Sequence, residues 1–195
     1  MTTRFTPEQQ ELLLQVAKAS INHGFHTGQP LRNVRVDDPV LMEDGAAFVT
    51  LNRRSSLRGC IGSLQAYRPL VEDVAENAFN AAFRDPRFPP LTPEETADLD
   101  VEISVLTPPE PMTDCSSPQA LLAQLKPFED GLIIDDGVHR ATFLPSVWEQ
   151  LPDKVQFLQH LMAKAGMTHY SPSMRCWRYH TVKFAKPWRD IPDPM

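Results

Sequence analysis

The sequence is poor in glycine and has no long apolar run. Only 8 of its 195 residues are glycine, whereas 19 are proline, which predicts short elements joined by rigid connections. No stretch approaches the ~18–20 apolar residues that a membrane-spanning helix needs. No apolar run follows a positive flank at the N-terminus, as it would in a signal peptide. We therefore predict a cytoplasmic protein without a membrane span.

Positive charge is also in deficit. The 19 lysines and arginines are outnumbered by 25 acidic residues, for a net charge of −6. Nucleic-acid binding generally requires clustered positive charge, so this balance argues against it. Several arginines are nevertheless concentrated in the first third of the chain, where they form either a solvated face or a pocket for a small anion. They are Arg32, Arg35, Arg53, Arg54 and Arg58.

The three cysteines are Cys60, Cys115 and Cys176, an odd number without a CxxC pair. This usage indicates a reducing compartment and no disulfide framework. The six histidines have neither the helical spacing nor the cysteine spacing of a zinc site. The sequence also lacks the glycine-rich and serine motifs of dinucleotide, phosphate and hydrolase sites. We therefore expect no built-in metal and no cofactor.

Apolar periodicity and turn residues predict an α+β fold, with packed helices on an antiparallel-rich sheet. We expect residues 1–195 to form one domain, ending in a proline-rich tail over 186–195. Gly24 is expected to end the first helix, and Asp136-Gly137 to turn a hairpin. The predicted helices are 6–22, 69–84, 117–126 and 153–165, and the predicted strands are 46–51, 99–106, 131–135, 140–144 and 174–185. Residues 58–63 are predicted to form the strand after 46–51 or the loop that leads into it.

The most informative segment is Leu-Arg-Gly-Cys-Ile-Gly at residues 57–62. Gly59 and Gly62 permit positive φ and also the close approach of other groups. They suggest a tight loop, whose backbone N–H groups could bind an anion. Arg58 would favour the thiolate form of Cys60, which makes this thiol a candidate nucleophile. The alternative is structural, because a free cysteine often behaves as a small buried hydrophobe.

A second unusual segment, Asp-Pro-Arg-Phe, follows at residues 85–88. Asp85 can hydrogen-bond the backbone that follows it, and the proline stiffens the turn. Arg87 would then be presented from a rigid loop, which suits recognition of a carboxylate or phosphate. The alternative is that Arg87 pairs with a partner inside the protein.

Glu102 and Ser104 share the polar face of the strand predicted over 99–106. If a cleft covers that face, Glu102 is a candidate general acid or base, with Ser104 beside it as a ligand-binding residue. If the face is open, Glu102 is an ordinary solvated side chain.

Together these segments resemble the AMMECR domain family, in particular the bacterial members called AmmeMemoRadiSam system protein A. The resemblance covers about residues 8–185. It implies a compact α+β protein with a larger lobe, a smaller lobe and a cleft between them. It also implies that the cysteine motif is the functional centre. The matching segments, in family order, are 57–62, 85–88, 102–106, 131–134 and 164–166.

The resemblance leaves two functions open. The first is a cleft-based enzyme or enzyme component that acts on a small anionic or carbonyl ligand. Cys60 would be its nucleophile or redox thiol, Arg58 and Arg87 would clamp the ligand, and Glu102 would transfer a proton. The second is a non-catalytic partner domain for a Memo-type protein or a radical S-adenosylmethionine enzyme, with which bacterial family members are associated.

Overall fold

The computed structural model describes residues 5–193, in two compact units. The second unit is Thr107–Thr181, and the first unit is formed by the chain before and after it. Both units combine helices with antiparallel strand pairs, which confirms the predicted α+β class. Within the described range, no helix is both long and apolar enough to cross a membrane.

Five α-helices, three short 3-10 helices and eight strands make up the regular structure of the described residues. The helices are α1 Pro7–Thr27, α2 Pro39–Met42, α3 Leu70–Phe83, α4 Pro118–Gln124 and α5 Lys154–Ala165. The strands are β1 Ala47–Arg53, β2 Ser56–Gly62, β3 Leu99–Leu106, β4 Glu110–Pro111, β5 Gly131–Asp135, β6 Arg140–Phe143, β7 Arg175–Tyr179 and β8 Thr181–Pro187.

The first unit contains a four-stranded sheet in the order β2-β1-β3-β8. β1 pairs antiparallel with both β2 and β3. Alternate residues of β1 and β3, such as Val49 and Ile103, are fully buried in one core with apolar side chains of α1 and α3. Small residues such as Ala75 and Ala78 of α3 belong to that core. Because strand side chains alternate between faces, the intervening residues lie on the opposite face of the sheet.

The second unit contains its own four-stranded sheet, in the order β4-β7-β5-β6. Its core includes Trp148 and Phe157, whose rings are stacked with centroids 3.7 Å apart. The predicted hairpin is confirmed, since Gly137 has φ 94° between β5 and β6. The predicted ends of α5 are confirmed as well: Asp153 caps its start and Gly166, with φ 83°, ends it.

Gly24 does not end the first helix, contrary to expectation. α1 continues to Thr27 and is ended by Gly28, which has φ 71°. Gly24 is buried, and a Cβ at this position would collide with the rings of Phe79 and Phe83. The glycine is therefore a close-packing position, where α1 approaches α3.

The strand predicted over 174–185 is two strands. β7 belongs to the sheet of the second unit and β8 to the sheet of the first. His180 separates them, and its backbone N–H donates to the Thr107 hydroxyl at 2.8 Å. The alternation of apolar and polar residues continues through His180. It therefore predicted one strand and gave no sign that the chain passes from one sheet to another.

The segment 57–62 lies in strand β2, which is the strand alternative predicted for residues 58–63 and not the tight loop that the glycines suggested. Neither Gly59 nor Gly62 has positive φ. A Cβ at Gly59 would collide with the backbone carbonyl of Ala81 in α3. Glycine is needed here for close approach between β2 and α3 and not for an unusual backbone conformation.

Gly59→Ala should lower the free energy of unfolding by about 1–3 kcal/mol, because the added methyl group forces α3 away from β2. Ser56→Ala, at an exposed position of the same strand, is the matched control and should change stability by less than about 0.5 kcal/mol. Urea unfolding followed by circular dichroism measures both. Equal midpoints for Gly59→Ala and the wild type would contradict this packing argument.

Candidate functional site

Three neighbouring strands bring Cys60, Thr50 and Glu102 into one row. Cys60 of β2 lies opposite Thr50 of β1, and Thr50 lies opposite Glu102 of β3. Residues directly opposite one another point to the same face of a sheet. The row is therefore on the face away from core residues such as Val49 and Leu51. All three side chains are half-buried.

Within this row, the thiol contacts the threonine. The Cys60 Sγ atom lies 3.2 Å from Thr50 Oγ1, and either group can be the donor. Since adjacent strands are about 4.8 Å apart, the Cα atoms of Cys60 and Glu102 are separated by about 10 Å. At this separation, Glu102 is too far from the thiol to exchange a proton with it directly. It could exchange a proton with a ligand that extends along the row. The sequence interpretation did not include Thr50.

The backbone of Cys60 is held by Asp85. β2 is an edge strand, and the Cys60 N–H donates to Asp85 Oδ2 at 3.0 Å. Asp85 lies just beyond the end of α3, and only 4% of its surface is exposed. Its other oxygen, Oδ1, accepts from the backbone N–H of Arg87 at 3.1 Å. The carboxylate therefore fixes the strand edge and the turn after α3 to one another.

Asp85 also binds the Arg87 side chain through two parallel hydrogen bonds. Nε donates to Oδ1 at 3.0 Å, and Nη2 donates to Oδ2 at 2.8 Å. The same Oδ2 lies 3.0 Å from Cys60 N, so Arg87 Nη2 and Cys60 N are within about 6 Å of each other. The Arg87 side chain remains 56% exposed. Arg87 thus has an internal partner and still presents its guanidinium to solvent.

Asp85 and Arg87 each stabilise the charged form of the other. Hydrogen bonds from the Arg87 side chain, followed by those from the backbone N–H groups, hold the pKa of Asp85 well below its ordinary value of 3.8. Burial opposes this effect without overcoming it. The same pairing raises the pKa of Arg87. Asp85 and Arg87 are therefore a stable ion pair beside the thiol.

Arg58 falls at an irregularity in β2. Its neighbours Leu57 and Gly59 pair with the consecutive β1 residues Asn52 and Leu51, so that Arg58 is an extra residue in the strand. Such a bulge redirects a side chain. The two-residue spacing between Arg58 and Cys60 therefore does not bring their side chains together.

The Arg58 guanidinium is bound within the protein. Nε and Nη2 donate to Glu95 at 2.7 and 3.1 Å, and Nη2 also donates to the Pro89 carbonyl at 2.8 Å. Hydrogen bonds from Arg58 lower the pKa of Glu95 to about 2. The Arg58 side chain is only 10% exposed, and its Nη1 is buried without a hydrogen-bond partner. This geometry gives Arg58 a bracing role rather than an open ligand contact.

Gly62 and Ser104 belong to the next row of the same face. Both lie opposite Phe48 of β1. A Cβ at Gly62 would collide with the Phe48 ring, which therefore covers this glycine. Ser104 is buried. The predicted ligand residues Gly62 and Ser104 thus flank an aromatic ring beside the Cys60 row.

The other two thiols are in the second unit. Cys115 and Cys176 are both buried, whereas Cys60 is half-buried. Burial raises the pKa of Cys176 far above the ordinary value, and hydrogen bonding to Cys115 adds to this effect. Between residues 5 and 193, no group of three or more histidine, cysteine or carboxylate side chains is arranged to hold a metal ion.

Comparison with known proteins identifies the family. Residues 14–184 match the family model described as AMMECR1. The chain belongs to the AMMECR1 family. A relative from Methanothermobacter thermautotrophicus is 36% identical over 181 residues, covering 91% of this chain and 94% of its own length. Protein PH0010 of Pyrococcus horikoshii is 37% identical over 194 residues, which cover 95% of this chain and 90% of that protein.

A crystal structure of PH0010 supports the same assignment. It matches this AMMECR1-family chain with a TM-score of 0.76 and 32% sequence identity, covering 97% of this chain and 96% of the other. The family assignment therefore rests on sequence and fold together. It agrees with the resemblance carried by the segments at 57–62 and 85–88.

Asp85→Asn should reduce the loss of stability in acid. The folded-state pKa of Asp85 is depressed, so the unfolded chain binds this proton first as the pH falls below about 5. The stability that Asp85 contributes is present above that pH and is lost progressively toward pH 2 and below. The variant lacks this contribution, and at neutral pH it should be less stable by about 1–3 kcal/mol because an amide replaces the paired carboxylate.

Urea midpoints measured between about pH 7 and pH 2.5 test this prediction. The exposed Asp37→Asn provides the matched control and should follow the wild-type curve. A curve for Asp85→Asn parallel to that of the wild type would show that the Asp85 carboxylate does not link folding to pH.

Proposed function

We propose that this protein binds a small carbonyl compound with an anionic group, and that Cys60 adds reversibly to the carbonyl carbon. The observation that carries the proposal is the shared Asp85 oxygen, which holds the Arg87 guanidinium within about 6 Å of the Cys60 backbone. An exposed cation is thereby held near the backbone of the residue that carries a half-buried thiol.

Arg87 is suited to bind the anionic group. Its bonds to Asp85 use Nε and one hydrogen of Nη2, so the hydrogens of Nη1 remain for a second acceptor. A planar guanidinium recognises carboxylates and phosphates well. Its position is fixed by the bidentate ion pair, so little side-chain entropy is lost when a ligand binds.

The covalent step needs no other reactant. The Cys60 sulfur forms a bond to the carbonyl carbon, the π pair of the C=O bond moves to the oxygen, and the thiol proton ends on that oxygen. The product is a hemithioacetal, or a hemithioketal from a ketone. Glu102, about 10 Å from Cys60 between Cα atoms, is placed to exchange a proton with the far end of a ligand lying along the row. Arg58 supports the site through Glu95.

Glyoxylate labelled with carbon-13 is a suitable probe, because it carries both a carboxylate and an aldehyde. The wild type should give a hemithioacetal carbon signal that Cys60→Ser abolishes. Arg87→Ala should weaken adduct formation about tenfold, as expected for the loss of one charged hydrogen-bonding group. Arg84→Ala removes an exposed arginine from the same region and should have no effect.

The outcome is read by carbon NMR during a glyoxylate titration. A signal that persists in Cys60→Ser, or equal losses in Arg87→Ala and Arg84→Ala, would refute the proposed site. Folding of each variant is checked by circular dichroism, so that loss of the adduct is not confused with loss of structure.

A partner-docking role is the second candidate, and one observation favours it. Leu57 on β2 and the nearby Leu64 and Tyr67 are exposed, Tyr67 at 65%. Contiguous exposed apolar side chains mark surfaces where proteins associate, and these three fall within residues 57–67 of the chain. The family resemblance suggests a Memo-type protein or a radical S-adenosylmethionine enzyme as the partner. Co-purification with each of these tests that role separately from the thiol chemistry.

A further inference from the structure

Thr50 holds its hydroxyl group at a fixed place beside the thiol. It lies on β1, which is paired on both sides by β2 and β3. A threonine side chain is stiff about its first torsion because it is branched at Cβ. The 3.2 Å contact between Oγ1 and the Cys60 Sγ atom is therefore built into the sheet and does not depend on a loop.

A hydroxyl group can serve both protonation states of the thiol. It carries one hydrogen that can rotate and two acceptor lone pairs. Thr50 can accept from the neutral S–H, and it can donate to the sulfur once the proton has left. A hydrogen bond to a charged acceptor is stronger than one between neutral groups, so the contact favours the thiolate over the thiol.

Thr50 is the side chain that contacts the Cys60 sulfur directly, whereas the charged groups around Cys60 have other partners. Asp85 binds the Cys60 backbone N–H and pairs with Arg87 through two hydrogen bonds, which leave the guanidinium exposed to solvent. Arg58 is bound to Glu95. Glu102 lies on the far side of Thr50, with its Cα about 10 Å from that of Cys60. Thr50 therefore supplies a side-chain hydroxyl at the sulfur and also separates the sulfur from a carboxylate.

We infer that Thr50 is a positioning residue that stabilises the Cys60 thiolate and so sets the reactivity of this site. The inference rests on the proposed reactivity of Cys60. Thr50 does not itself contact the carbonyl compound. It acts through the Cys60 sulfur. It also predicts that the thiol responds to changes on β1, although the sequence motif lies entirely on β2.

The test is the rate of Cys60 alkylation by iodoacetamide between about pH 5.5 and pH 9.5, resolved by peptide mass spectrometry. Thr50→Val keeps the shape and removes the hydroxyl, whereas Thr50→Ser keeps the hydroxyl and removes the methyl group. Thr50→Val should react about three- to tenfold more slowly at pH 7, with its pH–rate profile moved to higher pH. Thr50→Ser should stay within about twofold of the wild type on the same grounds.

Two results would overturn the inference. One is a Thr50→Val profile that superimposes on that of the wild type. The other is a Thr50→Ser protein as slow as Thr50→Val, because packing and not the hydroxyl would then be responsible. If Thr50→Val does not fold, Thr50→Ala provides a second variant without the hydroxyl. Failure of the proposed function looks different: Cys60 would then react no faster than Cys115 or Cys176 even in the wild type.

Discussion

The buried carboxylate of Asp85 is the interaction on which the candidate site depends. It accepts hydrogen bonds from the backbone of Cys60, from the backbone of Arg87 and from two nitrogens of the Arg87 side chain. A buried carboxylate is costly unless such partners compensate it. These same hydrogen bonds close part of the exposed edge of β2 and hold the Arg87 guanidinium near the backbone of Cys60.

The packing of α3 brings Asp85 to this place. α3 ends at Phe83, so Asp85 follows it by two residues. Gly59 allows the carbonyl of Ala81 to approach β2 more closely than any other residue would permit. The ion pair between Arg58 and Glu95 ties the same strand to the residues just before β3. The unusual composition of the 57–62 segment is thus explained by the contacts of one strand with its surroundings.

The sequence predicted elements better than it predicted contacts. Local signals, such as those for the ends of α5 and the turn at Gly137, depend on residues close together in the chain and were interpreted correctly. The roles of Arg58 and Thr50 depend on strand register, which places Thr50 between Cys60 and Glu102 and leaves Arg58 in a bulge. Close approach was one of the two interpretations of Gly59, but its neighbour Ala81 in α3 could not be predicted because it is distant in sequence. The pairing of Asp85 with Arg87 does not depend on strand register, because the two residues are only two positions apart in the sequence.

The most direct test of the account compares an anionic and a neutral reagent at the same thiol. The rate ratio of iodoacetate to iodoacetamide at Cys60 should exceed the ratio for free cysteine several-fold, because the Arg87 guanidinium attracts the anion. Added salt and Arg87→Ala should both bring that ratio down toward the free-thiol value, while Arg84→Ala should leave it unchanged. A wild-type ratio equal to that of free cysteine, or one insensitive to Arg87→Ala, would contradict the claim that thiol and cation form one site.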